Sequence, residues 1–347
     1  MKFISKSFVL LLFLSLLSCD AKKDALVNKK TLKSDFVIAF GSCNKQYKEN
    51  VLWKEISKNN PDLWVWGGDN IYANTKDFSQ LKNDYENLRN QKGYKELVKN
   101  IPVLATWDDH DYGYNDSGSE FFNKKESQKQ FLDFFDVPQN SLRRSQEGIF
   151  TSQLFTSKKG SIKVIVLDTR YFRSELTRSK KTKKKRYVAN DYGKGTILGK
   201  KQWNWFENEL KNSKADFNII VSSIQLLSSE HGFETWGNFP HEIDKLKNII
   251  KNTAAKGVLF LSGDRHISEF SKTSIKDVNY PLIDFTSSGL THSYTSFKGE
   301  PNQYRMQNVI SEISFGLLKF DFKQGTITME MRGKENLIQQ KHIQKYH

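Results

Sequence analysis

Six short apolar segments recur along the chain, and each has the length and composition of a buried β-strand. They occupy residues 36–43, 62–70, 101–111, 161–170, 217–227 and 257–266. Segments with helical periodicity lie between several of them, and this alternation predicts an α/β fold with buried, mostly parallel strands. A later segment, residues 315–333, alternates around Lys-Gln-Gly like a β-hairpin, so we expect a mixed sheet.

The spacing of these segments predicts a single domain. No stretch rich in Pro, Gly and Ser interrupts residues 36–333. We therefore predict one catalytic domain over residues 36–335, followed by a C-terminal tail over residues 336–347. At 347 residues the chain is long enough to bury a large core.

Polar side chains with metal-binding chemistry follow most of the predicted strands. They are Cys43, Asp69 with Asn70, the group Asp108–Asp111, Asp168, and Asp264 with His266. A single acidic residue at a strand end often only caps the next helix, but five or six such strand ends are hard to explain by capping. In open α/β sheets, ligands bind outside the carboxyl ends of the strands. Because clustered carboxylates need positive charge to stay ionised, the pattern predicts bound metal ions at this edge.

The donor types indicate which ions could bind there. Asp and Asn oxygens suit Ca²⁺, Mg²⁺ or Mn²⁺, whereas a thiolate and an imidazole suit Zn or Fe. The sequence therefore predicts a mixed site, with one softer ion next to one or two harder ones. Sites of this kind cleave phosphate esters, because one ion polarises the phosphoryl oxygen while a metal-activated hydroxide attacks phosphorus in line.

Eight motifs, in the same order along the chain, resemble the PhoD-like alkaline phosphatase/phosphodiesterase family. They are GSCN (41–44), GGDNIYA (67–73), ATWDDHDYGYND (105–116), VLDTRYFR (166–173), SSIQLL (222–227), WGNFP (236–240), LSGDRH (261–266) and SSGLTH (287–292). The resemblance covers nearly all of residues 36–333. It implies a metallophosphatase-like αββα core, in which two packed mixed sheets are flanked by helices, with iron and calcium at the centre.

The resemblance also implies a set of metal ligands. Cys43 would hold Fe(3+) together with Tyr85, for which Tyr94 is the nearby alternative, and Asp69 would bridge the metals. Tyr72 is expected to pack rather than to bind metal. The other ligands, to iron and to one or two Ca(2+) ions, would be Asp109, Asn115, Asp264 and His266. Zn or Mn could take the place of these ions.

Three residues are candidates for contact with the phosphoryl group. Asn70 stands where some family members carry a cation, so this contact would fall to Arg170, Arg265 or His110. Arg170 could instead pair with Asp168 in the core. His110 could either donate to the transition state or orient a carboxylate.

The N-terminus has the pattern of an export signal. Residues 1–18 combine a basic start with an apolar run too short to span a bilayer of roughly 30 Å, as in a signal peptide. Cys19 follows in a segment that resembles a bacterial lipobox, so we expect its lipidation, with residues 19–35 as a tether; ordinary secretion is the alternative. The protein would then be a membrane-anchored lipoprotein of the periplasm or cell surface.

The formal charge is +15, and removal of the signal peptide with its two lysines would leave +13, which favours anionic partners. Residues 173–186 contain eight basic residues and one acidic one, typical of a solvated loop or of a rim that attracts polyanions. No nucleic-acid-binding module is recognisable.

We predict a monomeric phosphoric-ester hydrolase. The alternatives are a phosphodiesterase or phospholipase on the same site, and a non-catalytic lipoprotein that binds polyanions.

Overall fold

The computed structural model describes residues 34–180 and 186–347, and the structural statements below concern these residues. The α-helices are α1 (Leu52–Ser57), α2 (Phe78–Asn90), α3 (Lys92–Val98), α4 (Asp109–Tyr112), α5 (Lys124–Phe134), α6 (Gly199–Lys211) and α7 (Pro240–Thr253). The strands are β1 (Phe36–Gly41), β2 (Leu63–Gly67), β3 (Val103–Thr106), β4 (Thr151–Thr156), β5 (Ser161–Val166), β6 (Thr177–Arg178), β7 (Tyr187–Val188), β8 (Phe217–Val221), β9 (Val258–Ser262), β10 (Ser268–Thr273), β11 (Leu282–Ser287), β12 (Arg305–Ile310), β13 (Phe315–Asp321), β14 (Thr326–Arg332) and β15 (Ile338–Lys345).

The first large sheet has six strands in the order β15-β14-β13-β1-β2-β3. Strands β1, β2 and β3 run parallel, whereas β13 pairs antiparallel with β1 and continues into β14 and β15. Residues alternate between the two faces, so in β1 Ile38 and Phe40 enter one apolar core while Val37 and Ala39 enter the other. Burial of both faces explains why these strands read as continuous apolar runs.

The second large sheet has seven strands in the order β12-β10-β11-β9-β8-β5-β4. Its centre, β5, β8, β9 and β11, is parallel, and antiparallel strands complete both sides. Helices α6 and α7 contribute Trp203, Phe206 and Ile249 to the core that also holds Ile219 and Phe260 of this sheet. The amphipathic faces of these helices therefore cover one side of the sheet.

The two large sheets pack against each other, and helices cover the outside. The ring of Phe40 in the first sheet meets that of Phe285 in the second edge to face, with centroids 4.8 Å apart. On the outer face of the first sheet, Trp53 of α1 lies 5.6 Å from both Trp64 and Trp66 of β2. This arrangement confirms the predicted αββα class with mixed sheets.

Several features of the structure differ from the sequence prediction or extend it. Residues 338–345, expected to belong to a tail, form β15 and pair with β14 at the sheet edge. Because this edge strand is mostly polar, a search for apolar runs does not detect it.

The predicted signal peptide, Cys19 and most of the tether lie outside the described residues. Within the described part of the chain, no helix is long and apolar enough to cross a membrane.

The ends of β1, β2 and β9 meet at a glycine. A Cβ added to Gly263, just after β9, would lie 2.5 Å from the carbonyl oxygen of Gly67 and 2.6 Å from Oγ of Ser42. Because Gly67 belongs to the first sheet and Gly263 follows the second, the two sheets touch here. The close approach brings the polar residues that follow these strands to one place.

We expect Gly263→Ala to destabilise the fold by about 1–3 kcal/mol, because a backbone oxygen cannot move aside for the new methyl group. Chemical denaturation would measure the loss, and elemental analysis would show whether bound metal is lost with it. Gly289→Ala is the matched control, since its nearest atoms would be 3.5 Å away or farther. Equal stability of the two variants would contradict the close approach.

Candidate metal centre and active site

Two groups of potential metal ligands lie where the strands end. One contains Cys43, Asp69 and His266, the other Asp69, Asp109 and His110, and within each group the donor atoms lie within 4.8 Å of one another. Such separations suit donors that share an ion at about 2.0–2.3 Å. Because Asp69 belongs to both groups, its carboxylate is placed to bridge two ions.

The backbone is strained at these positions. Cys43, Asp69, Asp264 and His266 all have left-handed φ angles, of 61°, 50°, 66° and 54°. This conformation costs a residue with a Cβ on the order of 1 kcal/mol, and such strain persists only where surrounding contacts hold it. These residues lie just after β1, β2 and β9. The turns that they form place donors from three segments close together.

Serine and backbone groups hold the ligands in position. The Cys43 thiol lies 3.3 Å from Oδ2 of Asp69 and 3.0 Å from Oγ of Ser288. The same Ser288 oxygen accepts a hydrogen bond of 2.7 Å from the backbone N–H of His266. Oδ2 of Asp109 accepts one of 2.6 Å from the backbone N–H of Asp116. These bonds limit the rotamers of the donors before any ion binds.

The structure brings Tyr72, and not Tyr85, to this cluster. The Tyr72 hydroxyl lies 3.0 Å from Oδ2 of Asp69 and 2.9 Å from Nε2 of His266. The Tyr85 hydroxyl instead lies 3.5 Å from Oδ2 of Asp111, outside both donor groups. The expectation that Tyr72 only packs is therefore corrected. Its position three residues after Asp69, within the same motif, is a signal that sequence reasoning missed.

Burial makes the negative charge of the cluster unfavourable in the absence of a cation. It raises the pKa of the Cys43 thiol to about 11. It also raises the pKa of Asp69 well above its usual value, and the neighbouring Cys43 and Asp109 raise it further. Asp109 differs, because although burial raises its pKa, the Arg170 guanidinium and His110 bring the pKa below its usual value. A bound cation would favour deprotonation of all these groups.

The residues present fit a metal ion. Oδ1 of Asp109 is buried and has no hydrogen-bond partner among the described residues. A buried carboxylate oxygen without a partner is costly, and a cation is its natural complement. The two donor groups and the adjacent Tyr72 together offer a thiol, imidazoles, a phenol and carboxylates. The first three suit a softer ion, and the carboxylates suit a harder one.

Two predicted ligands stand apart from the donor groups. The Asp264 side chain belongs to neither, although its backbone carbonyl lies 3.7 Å from the Cys43 sulfur. Burial raises the pKa of the Asp264 carboxyl to about 7, despite the lowering effect of Arg265. Asn115 is exposed in the loop that follows α4. The geometry thus brings together Cys43, Asp69, Asp109 and His266 more closely than these two.

Arg170 is not available to a substrate. Its side chain is fully buried and binds Asp108 at 2.5 Å and Glu234 at 2.5 Å. It does not pair with the Asp168 side chain, which instead accepts from the Trp107 indole and from backbone N–H groups. Arg170 therefore holds Asp108, the neighbour of Asp109, in place through a buried ion pair.

Of the other two predicted phosphate contacts, Arg265 is paired and His110 lies in the site. Both carboxylate oxygens of Glu300 accept from Nη2 of Arg265, at 2.8 and 2.9 Å, and the guanidinium lies 4.2 Å from the Phe233 ring centroid. The His110 ring stacks on Tyr72 with centroids 4.1 Å apart, and its Nε2 is 3.9 Å from Oδ1 of Asp109.

Two further residues of the site escaped the sequence analysis. Ser288 follows β11 and contacts both Cys43 and His266, and Glu234 links Arg170 to Arg173. Ser288 lies within the SSGLTH motif (287–292), which is a signal that could have found it, whereas Glu234 lies in a loop outside the motifs. Only the residues that contact Glu234 in the structure reveal its role.

The fold and this donor arrangement define a class, the proteins of metallophosphatase-like fold, in which two sheets place potential metal ligands at the ends of their strands. The model of the PhoD-like phosphatase family matches residues 38–335. The chain belongs to the PhoD-like phosphatase family, as the motifs predicted.

Known proteins and structures agree with this membership. Alkaline phosphatase D of Bacillus subtilis (strain 168) is 24% identical over 288 residues, which cover 69% of this chain and 48% of that protein. The chain thus spans about half the length of that relative. A structure of PhoD has a TM-score of 0.67 at 18% identity, covering 89% of this chain and 68% of the other.

More distant metallophosphatases share the architecture. The purple acid phosphatase PPD1 from yellow lupin seeds (Lupinus luteus) has a TM-score of 0.58 at 13% identity, with coverage of 90% and 54%. A dimetal phosphatase from Danio rerio has a TM-score of 0.55 at 12% identity, with coverage of 91% and 100%. These likenesses establish the fold.

We expect Arg170→Met to lower the free energy of unfolding by about 3–5 kcal/mol, because Asp108 and Glu234 would remain buried without their partner. Denaturant titration at neutral pH would measure this loss. Lys129→Met removes an exposed ion pair with Asp133 and serves as the control, with a change of no more than about 1 kcal/mol. An Arg170 variant of normal stability would contradict the structural role of this guanidinium.

Proposed function

We propose that the protein is a metal-dependent hydrolase of phosphoric esters. The observation that carries this proposal is the position of Asp69, which belongs to two adjacent groups of metal ligands at the meeting point of the two sheets. Two adjacent cations can hold a phosphoryl oxygen between them, polarise it and activate water for in-line attack. Membership of the PhoD-like phosphatase family supports the same reaction.

The softer ion, proposed to be iron, would be held by Cys43, Asp69 and His266, with Tyr72 in place of Tyr85 as the phenolate donor. Thiolate, imidazole and phenolate favour such an ion over calcium. The support for Tyr72 is the contact of its hydroxyl with Asp69 and His266.

The harder ion, proposed to be Ca²⁺, would be held by Asp69 and Asp109. His110 is the third donor of this group, and its Nδ1 lies 2.5 Å from Oδ1 of Asn74. We propose that this contact orients the ring so that Nε2 faces the phosphoryl group. Asp264 and Asn115 remain candidate ligands outside these two donor groups.

The site is compatible with both monoesters and diesters. The relative in Bacillus subtilis is called an alkaline phosphatase, which favours monoesters as the first substrates to test. A preference for diesters or phospholipids is the alternative. Comparison of p-nitrophenyl phosphate with bis-p-nitrophenyl phosphate would separate the two.

We further propose that the protein is exported and anchored through a lipid on Cys19, as a monomer. The support for export and for the lipid anchor is the N-terminal sequence pattern. Labelling with a radioactive fatty acid in wild type and in Cys19→Ser would test the anchor. Equal labelling of both proteins would overturn it.

We expect Asp69→Ala to reduce hydrolysis of both nitrophenyl esters by at least ~10³-fold, because loss of the bridging carboxylate weakens both cation sites. Steady-state kinetics and elemental analysis of the purified protein would measure activity and metal content together. Asp77→Ala, at the exposed N-cap of α2, is the matched control. Near-normal activity of Asp69→Ala would refute the proposed function.

The non-catalytic alternative makes a different prediction. It would be favoured if the purified wild-type protein contained no metal and bound polyanions in a salt-sensitive manner.

We expect Tyr72→Phe to remove any visible charge-transfer band from iron and tyrosinate, because the substitution deletes the phenolic oxygen beside Asp69 and His266. Tyr85→Phe should retain the band, since that ring lies outside the cluster. Absorption spectra of the iron-loaded variants would distinguish the two residues. Loss of the band in Tyr85→Phe alone would restore the original assignment.

A further inference from the structure

The two arginines predicted to contact the phosphoryl group are already paired with carboxylates. Arg170 is buried between Asp108 and Glu234, and Arg265 pairs with Glu300. Arg170 is fully buried, and Arg265 commits its Nη2 to Glu300, so carboxylates already balance both positive charges. A dianionic substrate held by metals on one side therefore needs positive charge from another residue.

Lys45 is placed to supply that charge. It stands two residues after Cys43, and its backbone N–H donates 2.8 Å to Oγ1 of Thr291. Oγ1 of Thr291 in turn lies 3.3 Å from the carbonyl oxygen of Cys43, so the loop is fixed next to the ligand. The Lys45 side chain is half-buried and makes no ion pair with a carboxylate in residues 34–180 or 186–347.

The ammonium group of Lys45 lies against a side chain of the centre. Nζ of Lys45 lies 5.2 Å from the ring centroid of Tyr72, whose hydroxyl contacts Asp69 and His266. The His110 ring stacks on the same tyrosine at 4.1 Å. A phosphate bound beside Asp69 would thus lie within the field of this ammonium group.

We propose that Lys45 binds a non-bridging phosphoryl oxygen of the substrate and favours dianionic phosphate monoesters over monoanionic diesters. This inference rests on the proposed function, and it names the residue that sets substrate charge preference at the same site. The lysine stem is flexible and its compact ammonium can follow an oxygen from ground state to transition state. Resting on the Tyr72 face, it is partly desolvated, which strengthens its pull on an anion.

The test compares Lys45→Met and Lys45→Arg in the metal-loaded protein. We expect Lys45→Met to lose about 10- to 100-fold in kcat/KM for p-nitrophenyl phosphate, the usual worth of one charge-assisted hydrogen bond. The loss for bis-p-nitrophenyl phosphate should be below about 3-fold, and Lys45→Arg should recover part of the monoester rate. Lys48→Met, three residues on in an exposed position of the same loop, is the matched control and should leave both rates unchanged.

A second measurement does not depend on turnover. Calorimetric titration of each metal-loaded variant with inorganic phosphate should show affinity weakened about 10-fold in Lys45→Met and unchanged in Lys48→Met. Elemental analysis should give the same metal content in all variants.

Equal losses on both esters, or loss of metal, would mean that Lys45 only supports Tyr72, and unchanged rates and phosphate affinity would likewise overturn the proposal. Wild-type protein that hydrolyses neither ester would instead refute the proposed function. The phosphate titration would then still decide the role of Lys45.

Discussion

Repulsion between buried acidic groups is the constraint on which this structure depends. Asp69, Asp109 and the Cys43 thiol meet with little access to water, and burial raises the pKa values of Asp69 and Cys43. Without a cation, Asp69 and Cys43 would favour their protonated forms. With two cations the same groups would become ligands. The strained backbone turns, the Ser288 contacts and the glycine at the meeting of the sheets all serve to hold this arrangement.

Charge is balanced in two layers. The inner acids belong to the donor groups, and Oδ1 of Asp109 has no hydrogen-bond partner in residues 34–180 or 186–347. The outer acids, Asp108 and Glu234, are paired with Arg170 and Arg173. The outer layer holds the loop that carries Asp109 while leaving that residue free for an ion. A buried ion-pair chain of this kind gives a fixed geometry, and disruption of one member leaves a charge unpaired.

The motifs predicted the class of site better than the role of each residue. Cys43, Asp69, Asp109 and His266 could be named because each follows an apolar strand in a recognisable sequence. Arg170 was misjudged, since its partner Asp108 lies 62 positions away and Glu234 lies 64 positions away. Tyr72 was passed over because an aromatic residue near a strand is more often part of a core. No local pattern separates a guanidinium facing substrate from one facing a buried carboxylate.

The sequence by itself determined the alternation of strands and helices, the burial of both faces of the central strands and the metal-binding character of the residues at their ends. These follow from short-range periodicity and side-chain chemistry, whereas the αββα class was implied by the resemblance of the motifs to a known family. Tertiary structure alone decided which tyrosine contacts Asp69 and His266, which arginines are already paired with carboxylates, and that Lys45 forms no ion pair within the described part of the chain. Such outcomes depend on distances between segments that the two sheets bring together. The electrostatic energy of a pair of charges depends on their separation, so no single segment determines it.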